Sequence, residues 1–360
     1  MLGTAHARSR ALLFLAAGLV AVTGCAGTRP APPPADASTP HAVRRIGDRL
    51  PRRGEEIVVA GQLFHVGAPV VLWLDADGYD AYRPYPHFRE VESEVDEAPR
   101  SGARRLRPDG SEPTAADERD ARNGRWSLDE LRAVVDQFVI HFDACGTSET
   151  CFRVLQDERR LSVHFMLDVD GTIYQTLDLD ERAWHATIAN DRSIGVEIAQ
   201  PGAVPVAERA RLDEWYTTDA SGRTSVRLPE RFGDGGLRDR GASLELARPS
   251  PVEGVVNGTR LVQYDFTEAQ YESLAKLTAA LHVALPRIEL DCPRDARGAP
   301  LLRTLSPEEF ASFSGLLGHY HVQTNKVDPG PAFDWERVLG DARAILGVGT
   351  RDSRRVDDGA

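Results

Sequence analysis

The sequence has no surplus of positive charge, no internal repeat, no HExxH segment and few cysteines, four in 360 residues. Each absence narrows the function. A formal net charge of −12 argues against nucleic acid and anionic lipid surfaces as partners. Without HExxH there is no helix offering two zinc-binding histidines one turn apart, the pattern of many metallopeptidases. The apolar run Ala11–Val22 is too short to span a bilayer, which takes about 20 residues. Among the cysteines, Cys145 and Cys151 lie close enough to close a small loop, and an oxidising compartment would permit a disulfide there. A zinc site on these two thiols is the competing reading, although no second close pair completes four ligands. Cys292 reads as a buried free thiol. What remains is ordinary: 41% hydrophobic and 27% charged residues, enough for one large domain or two modest ones.

The chain divides readily. Residues 1–24 have the form of an export signal, with His6, Arg8 and Arg10 before the apolar run. Val22-Thr23-Gly24-Cys25 resembles the lipobox of bacterial lipoproteins, in which the cysteine is lipidated; a plain secretory signal with an incidental cysteine is the alternative. Ala26, rather than aspartate, follows it, which points to the periplasmic face of the outer membrane. Residues 25–45 are rich in Pro and Ala and read as a tether. Residues 46–88 carry short apolar runs, Ile57 to Gly61 and Val70 to Trp73, and read as a small β element in which His65 and His87 are structural or exposed. Residues 89–125 are mostly charged and read as a solvated linker, and 349–360 as a disordered tail.

The main domain is expected over 126–348, as an α/β fold with a central mixed sheet flanked by helices. Ser127 to Glu130 forms a capping box that starts a helix. Gln137 to Phe142 predicts a buried strand with His141 near its C-terminal end, where open α/β sheets collect ligands. Leu161 to Asp168 and Thr172 to Leu177 predict two strands turned by Asp170-Gly171, and Ile194 to Ala199 a fourth carrying Glu197. Residues 201–260 interrupt the pattern as a long insertion. Thr267 caps an amphipathic helix to about Ala284, Ser306 a shorter one, and Asp334 the last, through Leu346.

The chemistry gathers in Gly318 to Asp334, which places His319, His321, Lys326 and Asp328 within ten residues before Pro329-Gly330-Pro331. Imidazole and carboxylate are zinc ligands, and His141 is the best third one. Zinc in a three-ligand site lowers the pKa of a water to ~7. Glu197 sits in an apolar strand where an unpaired carboxylate is costly, so it reads as the base. Lys326 would steady a developing oxyanion. Together these residues predict a zinc hydrolase.

These blocks resemble a known family. Val139-Ile140-His141, Ser162 to Phe165, Asp170 to Gln175, Arg182-Ala183-Trp184-His185-Ala186, Asn190, Ser193 to Glu197 and Lys326 to Pro331 look like the zinc-dependent N-acetylmuramoyl-L-alanine amidases of the type-2 family, whose fold peptidoglycan recognition proteins and phage amidases share. The resemblance covers about half the chain and leaves out 46–125 and 201–260. It implies that His141, His319 and Asp328 hold Zn2+, that Glu197 is the general base and that Lys326 polarises the scissile carbonyl. It places Trp184 and His185 along the substrate groove, and gives Asn190 an orienting or substrate-binding role. It strengthens the oxidised reading of Cys145 and Cys151. The implied substrate is peptidoglycan or its muropeptides, cut between N-acetylmuramic acid and L-alanine. One departure concerns spacing: relatives often have one more residue between the last histidine and the acidic ligand, which leaves His321 as the alternative to His319. A non-catalytic peptidoglycan-binding module on the same fold is the competing function, although such modules typically lack a ligand that this chain has.

Overall fold

The computed structural model describes residues 52–82 and 126–348, which fall within a single unit. The export signal, Cys25, the tether, the 89–125 linker, His87 and the 349–360 tail lie outside the described residues.

The N-terminal part supplies β1 (Glu56–Val59), β2 (Gln62–His65) and β3 (Val70–Leu72). Strands β1 and β2 form a hairpin as an alternating apolar segment should, but β3 does not stay with them. Its residues Val70, Val71 and Leu72 are all buried, and it pairs in parallel with a strand of the main sheet. The expected separate element is therefore corrected: its last strand is an edge of the central sheet, held by a pairing across a hundred residues.

The main sheet follows. Helix α1 (Leu128–Val134) starts at the Ser127–Glu130 capping box and leads into β4 (Gln137–Phe142), as the sequence predicts. Helix α2 (Ser148–Arg153) runs into a π-helical turn over Val154–Arg159. Then come β5 (Phe165–Leu167), β6 (Ile173–Gln175) and β7 (Ser193–Ile198). Strand β5 is shorter than Leu161 to Asp168 because Ser162 and His164 are otherwise engaged. The Ser162 hydroxyl accepts the Trp184 amide at 3.0 Å, and the His164 ring binds the Glu181 carbonyl and the Gly195 amide.

The segment taken as an insertion is ordered. It contains β8 (Val204–Pro205), β9 (Tyr216–Thr218), β10 (Thr224–Val226), β11 (Val252–Val256) and β12 (Thr259–Gln263), around its own small core of Leu212, Trp215, Tyr216 and Leu246. Strands β11, β12 and β8 make a separate three-stranded sheet.

Helix α3 (Glu268–Ala284) carries the predicted apolar face: Tyr271, Leu274, Leu277 and Leu281 are all buried. Each such leucine stabilises the fold by roughly 1.5–3 kcal/mol. After α4 (Pro307–Ser312) comes β13 (Gly315–Gly318), a strand with no clear local signal, then α5 (His319–Val322) and α6 (Trp335–Leu346), which packs on α3. The six-stranded sheet has the order β13-β4-β7-β5-β6-β3, parallel except for the β5–β6 hairpin. No helix among the described residues is long and apolar enough to cross a membrane.

Candidate metal centre

Three adjacent parallel strands build the site. The register pairs Gly318 with Ile140 and His141 with Glu197. His319 is the first residue beyond β13, so it comes level with His141, which is itself beside Glu197, at the C-terminal ends where such sheets bind ligands. Asp328 arrives on the returning loop, its carbonyl accepting the Tyr320 amide at 3.1 Å. All three putting forward a donor atom, His141, His319 and Asp328, are buried.

The hydrogen bonds settle which ring atoms face inward. His319 Nε2 lies 2.7 Å from the Gln323 side-chain carbonyl, a contact that is made when Nε2 carries the proton. His141 Nε2 lies 3.0 Å from His185 Nδ1, and His185 Nε2 lies 3.2 Å from the Ser193 hydroxyl. That chain is satisfied when His141 donates to His185 and His185 to Ser193. Both Nδ1 atoms are then left with lone pairs. They sit 3.0 Å from each other and each 2.9 Å from Asp328 Oδ2. In these tautomers three acceptors face one another, an arrangement that a cation satisfies. Zinc bonds of ~2.0–2.1 Å in a tetrahedron put ligand atoms about 3.3 Å apart, close to what is seen. The donor set fits zinc.

Protonation agrees. Burial, then the neighbouring His319, pushes the His141 imidazole down to about 4, so its neutral, ligating form prevails at neutral pH. For Asp328, burial alone would raise the carboxyl, but the two histidines outweigh it and hold it below the usual carboxylate range. His321 is not the ligand. Its Nε2 donates to the Leu301 carbonyl at 2.6 Å and its Nδ1 accepts the Gly318 amide at 2.8 Å, so both nitrogens are taken by backbone. It pins the loop from behind while His319 faces the site.

Glu197 has one carboxylate oxygen, Oε2, shut off from solvent with no hydrogen-bond partner. Burial, then the negative charges of Asp328 and Asp143, pushes its carboxyl well above the ordinary value, with Lys326 pulling the other way. Glu197, Lys326, Trp184, His185 and the three donor residues line one pocket of about 250 Å³. Lys326 is one of two lysines in a chain that otherwise uses arginine, and supplies a compact charge with rotatable donors. Trp184 stands at the rim, 42% exposed, with the Arg182 guanidinium 5.0 Å over its ring.

Of its two expected roles Asn190 takes the orienting one: it is buried away from the pocket, and its Oδ1 accepts the His185 and Ala186 amides at 3.2 and 2.7 Å, so it shapes the turn that presents His185. The Cys145–Cys151 disulfide is not formed; both are free thiols lining the pocket. A hydrogen bond with Cys145, then burial, pushes the Cys151 thiol well above its ordinary value, which keeps it protonated and inert.

Sequence reasoning missed the supporting residues. Gln323 had a signal, four residues after His319 and so on the same helical face. Gln263 had none: its Nε2 donates to the Pro329 carbonyl at 2.9 Å and its Oε1 accepts the Ala332 amide at 3.0 Å, fixing the turn behind Asp328. Gly330, at φ +87°, lies so close that a Cβ there would meet Gln263 Oε1 at 2.1 Å. Gly195 is as constrained, since a Cβ would lie 2.6 Å from His185 Nδ1. Gly195→Ala is accordingly expected to push His185 off His141 and weaken zinc binding about 10–100-fold, the usual cost of losing such a supporting contact. Competition with a chromophoric chelator reads this, and unchanged affinity would show that His185 does not support His141.

An α/β sheet presenting two imidazoles and a carboxylate, with a glutamate alongside, has the donor set of a catalytic metal site with three protein ligands. Residues 131–331, more than half of the chain, match the Amidase_2 family, N-acetylmuramoyl-L-alanine amidase, and the chain belongs to that family. Curated relatives include the 1,6-anhydro-N-acetylmuramyl-L-alanine amidase AmpD of Haemophilus influenzae, 24% identical over 187 residues that cover 52% of this chain and 61% of the relative. AmpD of Escherichia coli is 25% identical over 187 residues, covering 49% and 56%. The chain thus spans about three fifths of the length of these relatives. Among solved structures, E. coli AmiD in complex with anhydro-N-acetylmuramic acid-L-Ala-D-gamma-Glu-L-Lys overlaps at a TM-score of 0.32 and 18% identity, covering 60% of this chain and 58% of that one. The endolysin LysCS of Clostridium intestinale overlaps at 0.31 and 16%, covering 61% and 88%.

Proposed function

We propose that this chain is a zinc-dependent amidase that hydrolyses the bond between the lactyl group of N-acetylmuramic acid and the L-alanine of the stem peptide. The observation that carries the reading is the convergence, within 3.0 Å of one another, of two Nδ1 atoms and the Asp328 carboxylate beside an unpartnered Glu197 oxygen. Zinc held by His141, His319 and Asp328 supplies Lewis acidity and a nucleophile at neutral pH. Glu197 takes the proton of the attacking water and returns it to the departing nitrogen of L-alanine. Lys326 donates to the carbonyl oxygen as negative charge develops there. Trp184 and His185 border the space left for the glycan and peptide.

The substrate class follows from the family and from relatives named for 1,6-anhydro-muramyl substrates, and covers polymeric peptidoglycan and released muropeptides. The location we propose is outside the cytoplasm: an export signal over 1–24, lipidation at Cys25 and the Pro/Ala-rich tether would hold the domain at the periplasmic face of the outer membrane.

Digestion of purified peptidoglycan with and without a chelator, read by mass spectrometry, tests the activity. Free stem peptides beginning at L-alanine, lost with chelator and restored by zinc, are expected. Tight binding of zinc and sacculi with no release would identify a recognition module instead, and cuts inside the stem peptide a peptidase.

A further inference from the structure

The ordered insertion ends in the β11–β12 hairpin, whose two-residue turn is Asn257-Gly258, with φ of +46° and +78°. Asn-Gly is the favoured pair for such a turn, since both positions need positive φ. The turn does not point into solvent. The Asn257 amide nitrogen reaches three carbonyl oxygens of the loop that carries the metal-binding residues: Tyr320 at 3.2 Å, Gln323 at 3.2 Å and Lys326 at 2.9 Å. Its Oδ1 accepts the Thr304 amide at 2.7 Å, and its own backbone amide donates to the Leu302 carbonyl at 3.0 Å. A backbone N–H can only donate, so the Thr304 contact fixes which end of the side chain is oxygen and which is nitrogen.

The three carbonyls come from separate points between His319 and Asp328. Tyr320 and Gln323 have second donors, the Thr304 hydroxyl at 2.9 Å and the Lys326 amide at 3.2 Å. For the Lys326 carbonyl, Asn257 is the donor the structure gives. At the other end of β12, Gln263 grips Pro329 and Ala332. The hairpin turn and the far end of β12 thus bracket the Lys326–Asp328 segment, with a side-chain amide on each side.

We propose that Asn257 is a positioning residue, through which the insertion holds the loop that presents His319, Lys326 and Asp328 to the metal and the substrate. Neither the family assignment nor the pocket lining points to it, because it touches backbone alone. Its amide ties three points of one loop to a hairpin anchored in a different sheet, so the spacing between His319 and Asp328 is set from outside the loop. The inference rests on the zinc reading above for its functional meaning, but not for its structural one.

Asn257→Gly separates the roles, since Gly-Gly also suits the turn and only the side chain is lost. Asn257→Asp keeps the turn and the Thr304 contacts but aims a carboxylate at three carbonyl oxygens. Two readouts are taken on the full mature chain: hydrogen exchange of the 319–328 amides in the metal-free protein, and zinc affinity by chelator competition. The expected result is faster exchange confined to 319–328 in both variants, with zinc affinity lowered about 10–100-fold for Asn257→Gly and further for Asn257→Asp. In the peptidoglycan digest, kcat is expected to fall more than KM rises, because Lys326 acts on the developing charge.

Unchanged exchange in Asn257→Gly overturns the inference. Faster exchange with zinc affinity and kcat at the parent level also overturns it, leaving Asn257 a purely structural turn residue. Faster exchange spread evenly over the fold has the same meaning. If the parent itself takes up no zinc, the zinc reading falls instead, and the exchange arm alone decides whether Asn257 holds the loop.

Discussion

Glu197→Gln is expected to lower turnover about 10²–10⁴-fold, the usual contribution of a positioned acid–base group, while bound zinc stays at one per chain. The metal is retained because nothing that orients the ligands passes through Glu197. His319 is held by Gln323, His141 by His185 and Ser193, and Asp328 by the turn on Gln263. Glutamine keeps the volume and the register of β7 but has no basic oxygen. Stability should not fall. A carboxylate with a buried, unpartnered oxygen costs free energy in the fold, so an uncharged isostere should leave Tm equal or higher, a trade of activity against stability. Turnover from the peptidoglycan digest, metal content and Tm together check this. Turnover within tenfold of the parent would remove Glu197 from the role of base, and loss of the metal would make it a ligand or a ligand support.

The sequence announced this site more fully than it announced the fold around it. His141, Glu197, His319 and Asp328 were legible because imidazole and carboxylate in apolar surroundings need a chemical reason, and the reason is local to each residue. The same holds for Ser127, Thr267 and Ser306, whose capping boxes are written within four residues and are all formed. What depends on distant partners was not legible. Gly315-Leu316-Leu317-Gly318 is too short and too glycine-bounded to declare itself, and is a strand because β4 lies beside it. Strand β3 resembles part of a small separate element until its pairing with β6 is known. The choice between His319 and His321 turns on whether a carbonyl at Leu301 or a carboxylate at Asp328 faces the ring, which spacing does not encode. The insertion did carry one unread signal: Asn257-Gly258 between Val255-Val256 and Thr259 to Leu261 is a strong hairpin mark.

Stripping zinc is expected to lower the Tm of the parent by ~8–16 °C and that of Asp328→Asn by almost nothing. The first figure follows from mass action. Free zinc at about a thousand times its dissociation constant stabilises the folded state by about 4.1 kcal/mol. For a domain of this size each kcal/mol moves Tm by about 2–4 °C. The second follows from hydrogen-bond accounting. In the parent, removal of the cation leaves two imidazole nitrogens and a carboxylate oxygen within 3.0 Å of one another, which are reconciled by an added proton or by a tautomer shift that gives up an Nε2 contact to Gln323 or His185. Asparagine at 328 presents an NH2 group with two donors to those same two Nδ1 atoms. It fills the cation's place, so the metal-free variant should melt at or above the metal-free parent even though it no longer binds zinc tightly. Scanning calorimetry of both proteins, with zinc and with chelator, gives four melting temperatures that decide the matter. A parent insensitive to chelator would mean that the three residues are not a zinc site. An Asp328→Asn variant that still gained several degrees from zinc would mean that the metal is held without Asp328, and that the bracket formed by Asn257 and Gln263 serves some purpose other than placing this carboxylate.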